Sequence, residues 1–491
     1  MIAGTRTPSC SGLTRASRTP HPQSIFGNIS PLRPATDARV KPEPDVERVM
    51  PRQNENCWLQ PRGLERNAEA CDNTCRILFH LELILMRLSR RAALSAASAT
   101  AILPIFRARA QARPVVKIGV INDQSGPYRD VNGPTSVICT KQAVLEFNAG
   151  GFDVEVLSAD NQNKPDVAVS ICRQWIDSDG VDVIMDCAAS SAALAVSSLC
   201  REKNKVCIPT STATSDLTGK ACNANTIHWV FDTYMEAKST GGAMVKAGGD
   251  SWYMIHPNYA FGEALQRDTA RFVKEAGGKV LGVEPYPFPE TTDFSAQLVK
   301  AQSSGAKVLG FCGAGTDVVN IIKQAAEFGL TKTMNIAVMV GYTQDVRSIG
   351  LQSAQGMRLS ESYYWDLNDR TRSFQARIQP KVKLWPSMAQ AGNYSATLHY
   401  LKAVTAMGAA AAKADGVAAV NQMKKMPTDD DCFGPGRIRE DGRKIHPVYL
   451  FEVKKPSESK SEWDLYKLIG TTPAEEAFRP MSEDACPLVK A

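Results

Sequence analysis

The residues best placed for chemistry sit where short apolar runs give way to Ser, Thr, Gly, Asn, Asp or Tyr. There are five such stretches: 122–132, 186–191, 210–219, 256–262 and 312–317. Several run straight into a predicted helix, whose first turn has free backbone N–H groups and the positive end of the helix dipole. That chemistry suits holding an anion. Catalytic signatures are lacking. There is no GxSxG elbow, no HExxH and no P-loop. The GAG of FCGAGTD lacks the last glycine of a dinucleotide loop, because Val318 stands in its place.

Metal and thiol chemistry are equally thin. Nine cysteines follow residue 112: Cys139, Cys172, Cys187, Cys200, Cys207, Cys222, Cys312, Cys432 and Cys486. An odd number leaves at least one thiol free or paired between chains. Cys172, Cys200 and Cys207 lie among apolar neighbours and read as buried thiols. No CxxC is present, and His228, His256, His399 and His446 are not paired at metal-ligand spacing. No metal, no cofactor and no catalytic residue is expected, and the chain does not read as an enzyme.

The elements that would position the five loops alternate strand and helix. Apolar runs at 115–121, 153–158, 181–185 and 205–209 are separated by helical patterns at about 134–148, 165–178 and 191–203. The alternation repeats with strands at 251–256, 279–284, 306–311 and 334–340, and helices at about 262–276, 293–304 and 317–328. The fold class is α/β, with two doubly wound parallel-sheet lobes. Residues 388–425 read as helical, 436–455 as a strand pair turning at Asp441-Gly442, and 463–470 as a further strand. Ligands of open parallel sheets bind beyond the carboxyl ends of the strands, which is where the five loops fall.

Residues 86–112 have the pattern of an export signal. Arg90 and Arg91 give a basic, twin-arginine-like start, 92–106 is apolar, and Ala110-Gln111-Ala112 is a cleavage site. The apolar stretch is shorter than the roughly 20 residues a membrane span needs. Residues 1–85, without sustained apolar periodicity, read as sequence upstream of a true start at Met86, or else as a disordered arm. Cleavage after Ala112 would leave 379 residues, enough for two domains. Residues 1–112 hold 16 basic and 9 acidic side chains, so the remainder carries 41 basic against 42 acidic. A near-neutral remainder offers no electrostatic footprint for nucleic acid. The expectation is a periplasmic monomer that is not inserted in a membrane.

Taken in order, IGVINDQSGPY (118–128), DNQNKPDVAV (160–169), TSTATSDLTGKAC (210–222), FDTY (231–234), NYAFG (258–262), TTDFSAQL (291–298) and IKQAAEFGL (322–330) resemble the leucine/isoleucine/valine-binding family. These are solute receptors of bacterial ABC importers, with the type I periplasmic-binding fold. The tail Ala477–Lys490 is similar to that of a subgroup taking aromatic or other organic acids. The resemblance implies two lobes, 113–235 with 363–435 and 236–362 with 436–491. They would be joined by crossovers near Thr233–Glu236, Ser360–Tyr363 and Phe433–Arg437. It also implies a small carboxylate ligand trapped by hinge closure and a membrane permease as partner. A ligand sensor on the same scaffold is the alternative, which two permease and two ATPase genes alongside would disfavour.

Carried over by position, the carboxylate subsite falls on Ala188, Ala189, Ser190 and Ser191 and on Ser211 and Thr212. Ala188 and Ala189 replace the usual hydroxyl residues, so backbone N–H groups must carry more of the binding. Ser190 and Ser191 read equally as helix caps. Tyr128, Tyr234, Tyr259, Phe261, Tyr342 and Tyr394 are candidate aromatic walls, with Ala314 beside them. Amino-acid binders of the family have an acid near the strand corresponding to 334–340, where this chain has Gly341 and Tyr342. Asp317 could substitute, or serve as a first-turn acid; Asp345 reads as a helix cap. An α-ammonium without a buried carboxylate would be left unpaired, so the expected ligand joins a carboxylate to an apolar or aromatic body.

Overall fold

The computed structural model describes residues 113–148, 150–483 and 485–489; the leader 1–85 and the signal 86–112 lie outside them. The first lobe is built on strands β1 (Val115–Asn122), β2 (Asp153–Asp160), β3 (Val183–Asp186) and β4 (Val206–Pro209). They form a parallel sheet in the order β2-β1-β3-β4. Helices α1 (Gly133–Glu146), α2 (Pro165–Gln174) and α3 (Ser190–Glu202) connect them. α2 opens with Pro165 at its first position, where a missing N–H costs nothing. It ends one turn earlier than its apolar spacing predicts, in a π turn over Trp175–Asp179 closed by left-handed Gly180. Trp175 there lies over Gly119, where an added Cβ would meet the indole at 2.6 Å.

A short helix α4 (Thr233–Glu236), capped by the Asp232 side chain on Met235 N–H at 2.8 Å, leads out of the first lobe. The second lobe holds β5 (Ser251–Pro257), α5 (Ala260–Glu275), β6 (Lys279–Tyr286), α6 (Ser295–Ser303) and β7 (Val308–Phe311). α7 (Thr316–Glu327), β8 (Asn335–Val338), α8 (Thr343–Ile349) and β9 (Arg358–Glu361) follow. The chain then returns to the first lobe through α9 (Asp369–Ile378), α10 (Met388–Met407) and α11 (Gly416–Lys425). α10 packs on α1, and its Trp229 neighbour donates Nε1–H to Ser395 at 2.9 Å.

Two details differ from the sequence pattern. The second sheet is larger than four strands: its order is β13-β12-β9-β8-β7-β5-β6, with β12 (Val448–Val453) and β13 (Tyr466–Thr472) added antiparallel beside β9. The expected strand pair is also split. A short ribbon, β10 (Arg437–Ile438) and β11 (Lys444–Ile445), stays with the first lobe. There His228 N–H donates to Gly442 C=O at 2.9 Å and Lys444 N–H to His228 C=O at 3.0 Å. The third passage between sheets therefore lies at His446–Pro447, later than Phe433–Arg437. Arg443 explains why: fully buried, it donates to the carbonyls of Val230 and Phe231 and holds the ribbon against the first lobe.

Cys222 and Cys486 form a disulfide, and the other seven cysteines of the described residues are buried free thiols. No helix among the described residues is long and apolar enough to cross a membrane.

Candidate functional site

The carboxyl ends of both sheets face one another across an interlobe cavity. The first lobe lines it with Tyr128, Val131, Asn132, Ala188, Ser211, Ala213 and Phe231; the second contributes Tyr259, Phe261, Ala314, Val340 and Tyr342. All five polar loops contribute to this wall.

The Tyr128 loop is gathered by Asp123. Its carboxylate accepts from the N–H of Gly126 at 2.6 Å and of Tyr128 at 2.8 Å, and from Asn163 Nδ2 at 2.6 Å. A Cβ on Gly126 would meet that carboxylate at 2.8 Å, so only glycine lets the loop wrap this closely. Gln390 of α10 fixes the next turn by donating to Asn132 C=O at 2.8 Å, and Gln344 of the second lobe donates in turn to Gln390 at 3.0 Å.

β3 ends on two consecutive non-glycine residues with positive φ, Asp186 (79°) and Cys187 (55°). Such conformations cost on the order of 1–3 kcal/mol each and persist only where surroundings over-determine them. Here Asn122 donates to Asp186 at 2.7 Å, Ser211 donates to its other oxygen, and Thr212 donates to Cys187 C=O. Burial pushes the Asp186 carboxyl up against these bonds. The turn delivers Ala188 to the cavity and starts α3 immediately behind it. No N–H of residues 188–191, nor of Thr212 or Ala213, has a hydrogen-bond partner among the described residues. The site thus offers backbone donors and apolar walls, with its hydroxyls turned inward to the protein.

Across the mouth, Tyr128 and Tyr259 share a hydroxyl–hydroxyl hydrogen bond of 2.7 Å, and burial pushes both phenols up. Phe288 stacks on both rings, at 5.2 Å from Tyr128 and 4.9 Å from Tyr259. Tyr342 meets Phe231 edge-on at 6.1 Å on another wall. Further contacts seal the lobes together. Thr316 N–H donates to Pro127 C=O at 3.1 Å; Asp268 accepts from Ser215 at 2.9 Å and Thr233 at 2.6 Å; Arg267 pairs with Asp216 at 3.4 Å.

Of the residues singled out from sequence, Tyr128, Ala188, Ser211, Tyr259, Phe261, Ala314 and Tyr342 lie on the cavity wall. The others do not. Ala189 is the buried N-cap of α3. Ser190 accepts from Thr214 N–H at 3.2 Å, while Ser191 lies in the helix's first turn and Thr212 bonds to Cys187. Tyr234 meets Phe272 of α5 edge-on at 4.9 Å. Tyr394 donates to Glu146 at 2.5 Å on the outer side of α10. Asp317 sits behind the aromatic wall, takes the Tyr286 hydroxyl at 2.8 Å, and is pushed by burial to about 7. Asp345 caps α8 by accepting from Tyr342 N–H at 3.1 Å. Among the described residues, no acid lines the cavity.

Val131, Asn132, Ala213, Phe231 and Val340 are cavity residues not picked from sequence. The first three fall within the named loops. Phe231 and Val340 sit in apolar runs that look like ordinary core, and only the facing lobe shows otherwise.

Two α/β lobes closed over a cavity of backbone donors and aromatic rings define a ligand-binding protein of two-lobed type. The chain belongs to the periplasmic binding protein family, which matches residues 115–460. It is similar to a periplasmic binding protein from Burkholderia mallei, at 43% identity over 77% of this chain and 99% of that one, with a TM-score of 0.74. A branched-chain amino acid ABC transporter periplasmic ligand-binding protein from Burkholderia xenovorans LB400 is 37% identical over 76% and 99%, TM-score 0.67. A solute-binding protein of an ABC transporter from R. palustris, in complex with benzoate, shares the fold at 21% identity over 76% and 100%, TM-score 0.67. A comparison with curated protein sequences finds no match.

Proposed function

We propose that this protein is the extracytoplasmic solute receptor of an ABC importer, and that it delivers a small carboxylate-bearing ligand to a membrane permease. The carrying observation is the lining of the interlobe cavity: unpartnered N–H groups at the start of α3 and after β4, aromatic rings on the other sides, and no acid. Amide donors at a helix N-terminus suit a carboxylate without an arginine. The rings suit an apolar or aromatic body. An α-ammonium would find no carboxylate on the wall, so the ligand class is an organic acid in which an ammonium is dispensable. The names of the relatives span both possibilities, since one is tied to branched-chain amino acids and another holds benzoate.

Lobe closure is the transport-relevant motion, with bound ligand shifting the population toward the closed form. Calorimetry of the purified protein against leucine and 4-hydroxycinnamate, side by side, tests the ligand class. Binding of the aromatic acid supports it; tight leucine binding with none of the acid overturns it.

A further inference from the structure

Three peptide crossovers join the lobes, and the C-terminal segment makes a fourth connection. After β13, the last strand of the second sheet, residues 473–483 leave that lobe, and Cys486 beyond them is bonded to Cys222. Cys222 precedes the segment that runs parallel to β4 at Cys207–Thr226, so it belongs to the first lobe. The segment is anchored alternately to both sides. Lys238, just past α4, donates to Glu476 C=O. Phe478 is buried beneath Arg443, whose guanidinium lies 4.2 Å from the ring centroid. Arg439 of the first-lobe ribbon donates to Arg479 C=O at 2.8 Å, and Arg479 donates to Ser215 C=O at 2.6 Å. Arg271 on α5 of the second lobe then pairs with Glu483 at 2.7 Å.

These anchors flank the interlobe contact made by Ser215, Thr233 and Asp268. A Cβ on Gly219 would meet the Arg479 guanidinium at 2.8 Å, so the segment is pressed directly onto that contact's loop. A covalent link between two bodies limits their separation whatever the state of the weaker contacts. A disulfide closing a loop of sequence separation 264 also restricts the chain over most of its described length.

We propose that Pro473–Cys486 is a strap that limits how far the two lobes separate. It rests on the reading that the lobes open and close. The test needs no ligand, so its failure is distinguishable from failure of the ligand assignment. Cys222→Ser/Cys486→Ser cuts the covalent anchor, and Glu483→Gln weakens the second-lobe anchor while leaving the disulfide intact. Small-angle scattering and amide hydrogen exchange are compared with wild type on ligand-free protein. Cutting the strap is expected to raise the radius of gyration and to speed exchange at 215–218 and 233–246 on the order of tenfold. Glu483→Gln is expected to do the same to a smaller degree. An unchanged radius, with faster exchange confined to 473–489 in both variants, would overturn the proposal and leave the disulfide a local staple.

Discussion

The hydroxyls of Tyr128 and Tyr259, from opposite lobes and 131 positions apart in the chain, meet at 2.7 Å over the mouth of the cavity. With Phe288 stacked on both, this pair joins the two lobes across the cleft. Tyr259→Phe removes it and keeps the ring stack. The closed form should lose about 1 kcal/mol, or roughly fivefold in ligand affinity, mostly in dissociation rate. Stopped-flow dissociation of the ligand found by thermal-shift screening checks this; an unchanged rate would remove the pair from the closing mechanism.

Gly315 has φ of +64°, and a Cβ there would meet Pro127 C=O at 2.5 Å and the Tyr128 ring at 2.9 Å across the cleft. Both partners belong to the facing lobe. Gly315→Ala should therefore oppose closure more than it harms either lobe. The clash with Pro127 and Tyr128 costs on the order of 1–3 kcal/mol in the closed form, and affinity should fall by about tenfold or more. Calorimetry and scattering together are decisive: weak binding with an enlarged radius is expected, whereas wild-type affinity would show that the lobes close without this approach.

Asp317 titrates near the cavity, raised by burial to about 7. It is neutral below that pH and negative above it. An anionic ligand should bind more weakly as pH rises through about 7, and Asp317→Asn should flatten the profile. A ligand anchored by an ammonium would show the opposite slope. Affinity measured from pH 5.5 to 8.5 separates the two cases.

Glu236 on α4 and Glu361 on β9 come from two different crossovers, and both are buried. Among the described residues, neither oxygen of Glu236 has a hydrogen-bond partner, and Oε1 of Glu361 has none. Burial raises both carboxyls well above the usual 4.5, with Glu361 adding to the rise of Glu236 and Asp345 to that of Glu361. The native state thus holds protons that the unfolded chain releases. Their contribution to stability is fully present below about 4.5 and is lost as pH rises toward the folded values. Glu236→Gln removes a carboxyl that the fold must keep protonated, and should stabilise the protein at pH 8 on the order of 1–4 kcal/mol, with little effect at pH 4.5. Urea denaturation at the two pH values reads this directly; equal shifts at both would refute the titration account.

Much of the fold is written in local patterns. The first four strands and their helices follow from apolar runs bounded by Gly, Pro and Asn. β9 was not distinguished from the crossover after it, because RLSE lacks the apolar run of its neighbours and is recognised only by pairing with β8 and β12. In the same way, periodicity could not say that β10–β11 would turn back to His228. That choice rests on Arg443 finding two carbonyls more than 200 residues away.

The sequence by itself determined the alternation, the polar loops at the strand ends and the family, because these depend on neighbours in the chain. Which loop residues face the ligand was decided by tertiary structure. Ser190 and Thr212 have suitable hydroxyls, yet they are spent on Thr214 and Cys187, while Ala188 reaches the cavity through a positive-φ turn. Phe231 and Val340, one from each lobe, become cavity walls only where the two lobes come together. The Cys222–Cys486 pairing belongs here too: two of nine cysteines were brought together by the path of the tail. Side-chain direction and long-range closure are set by packing, and packing is not encoded in any one stretch of chain.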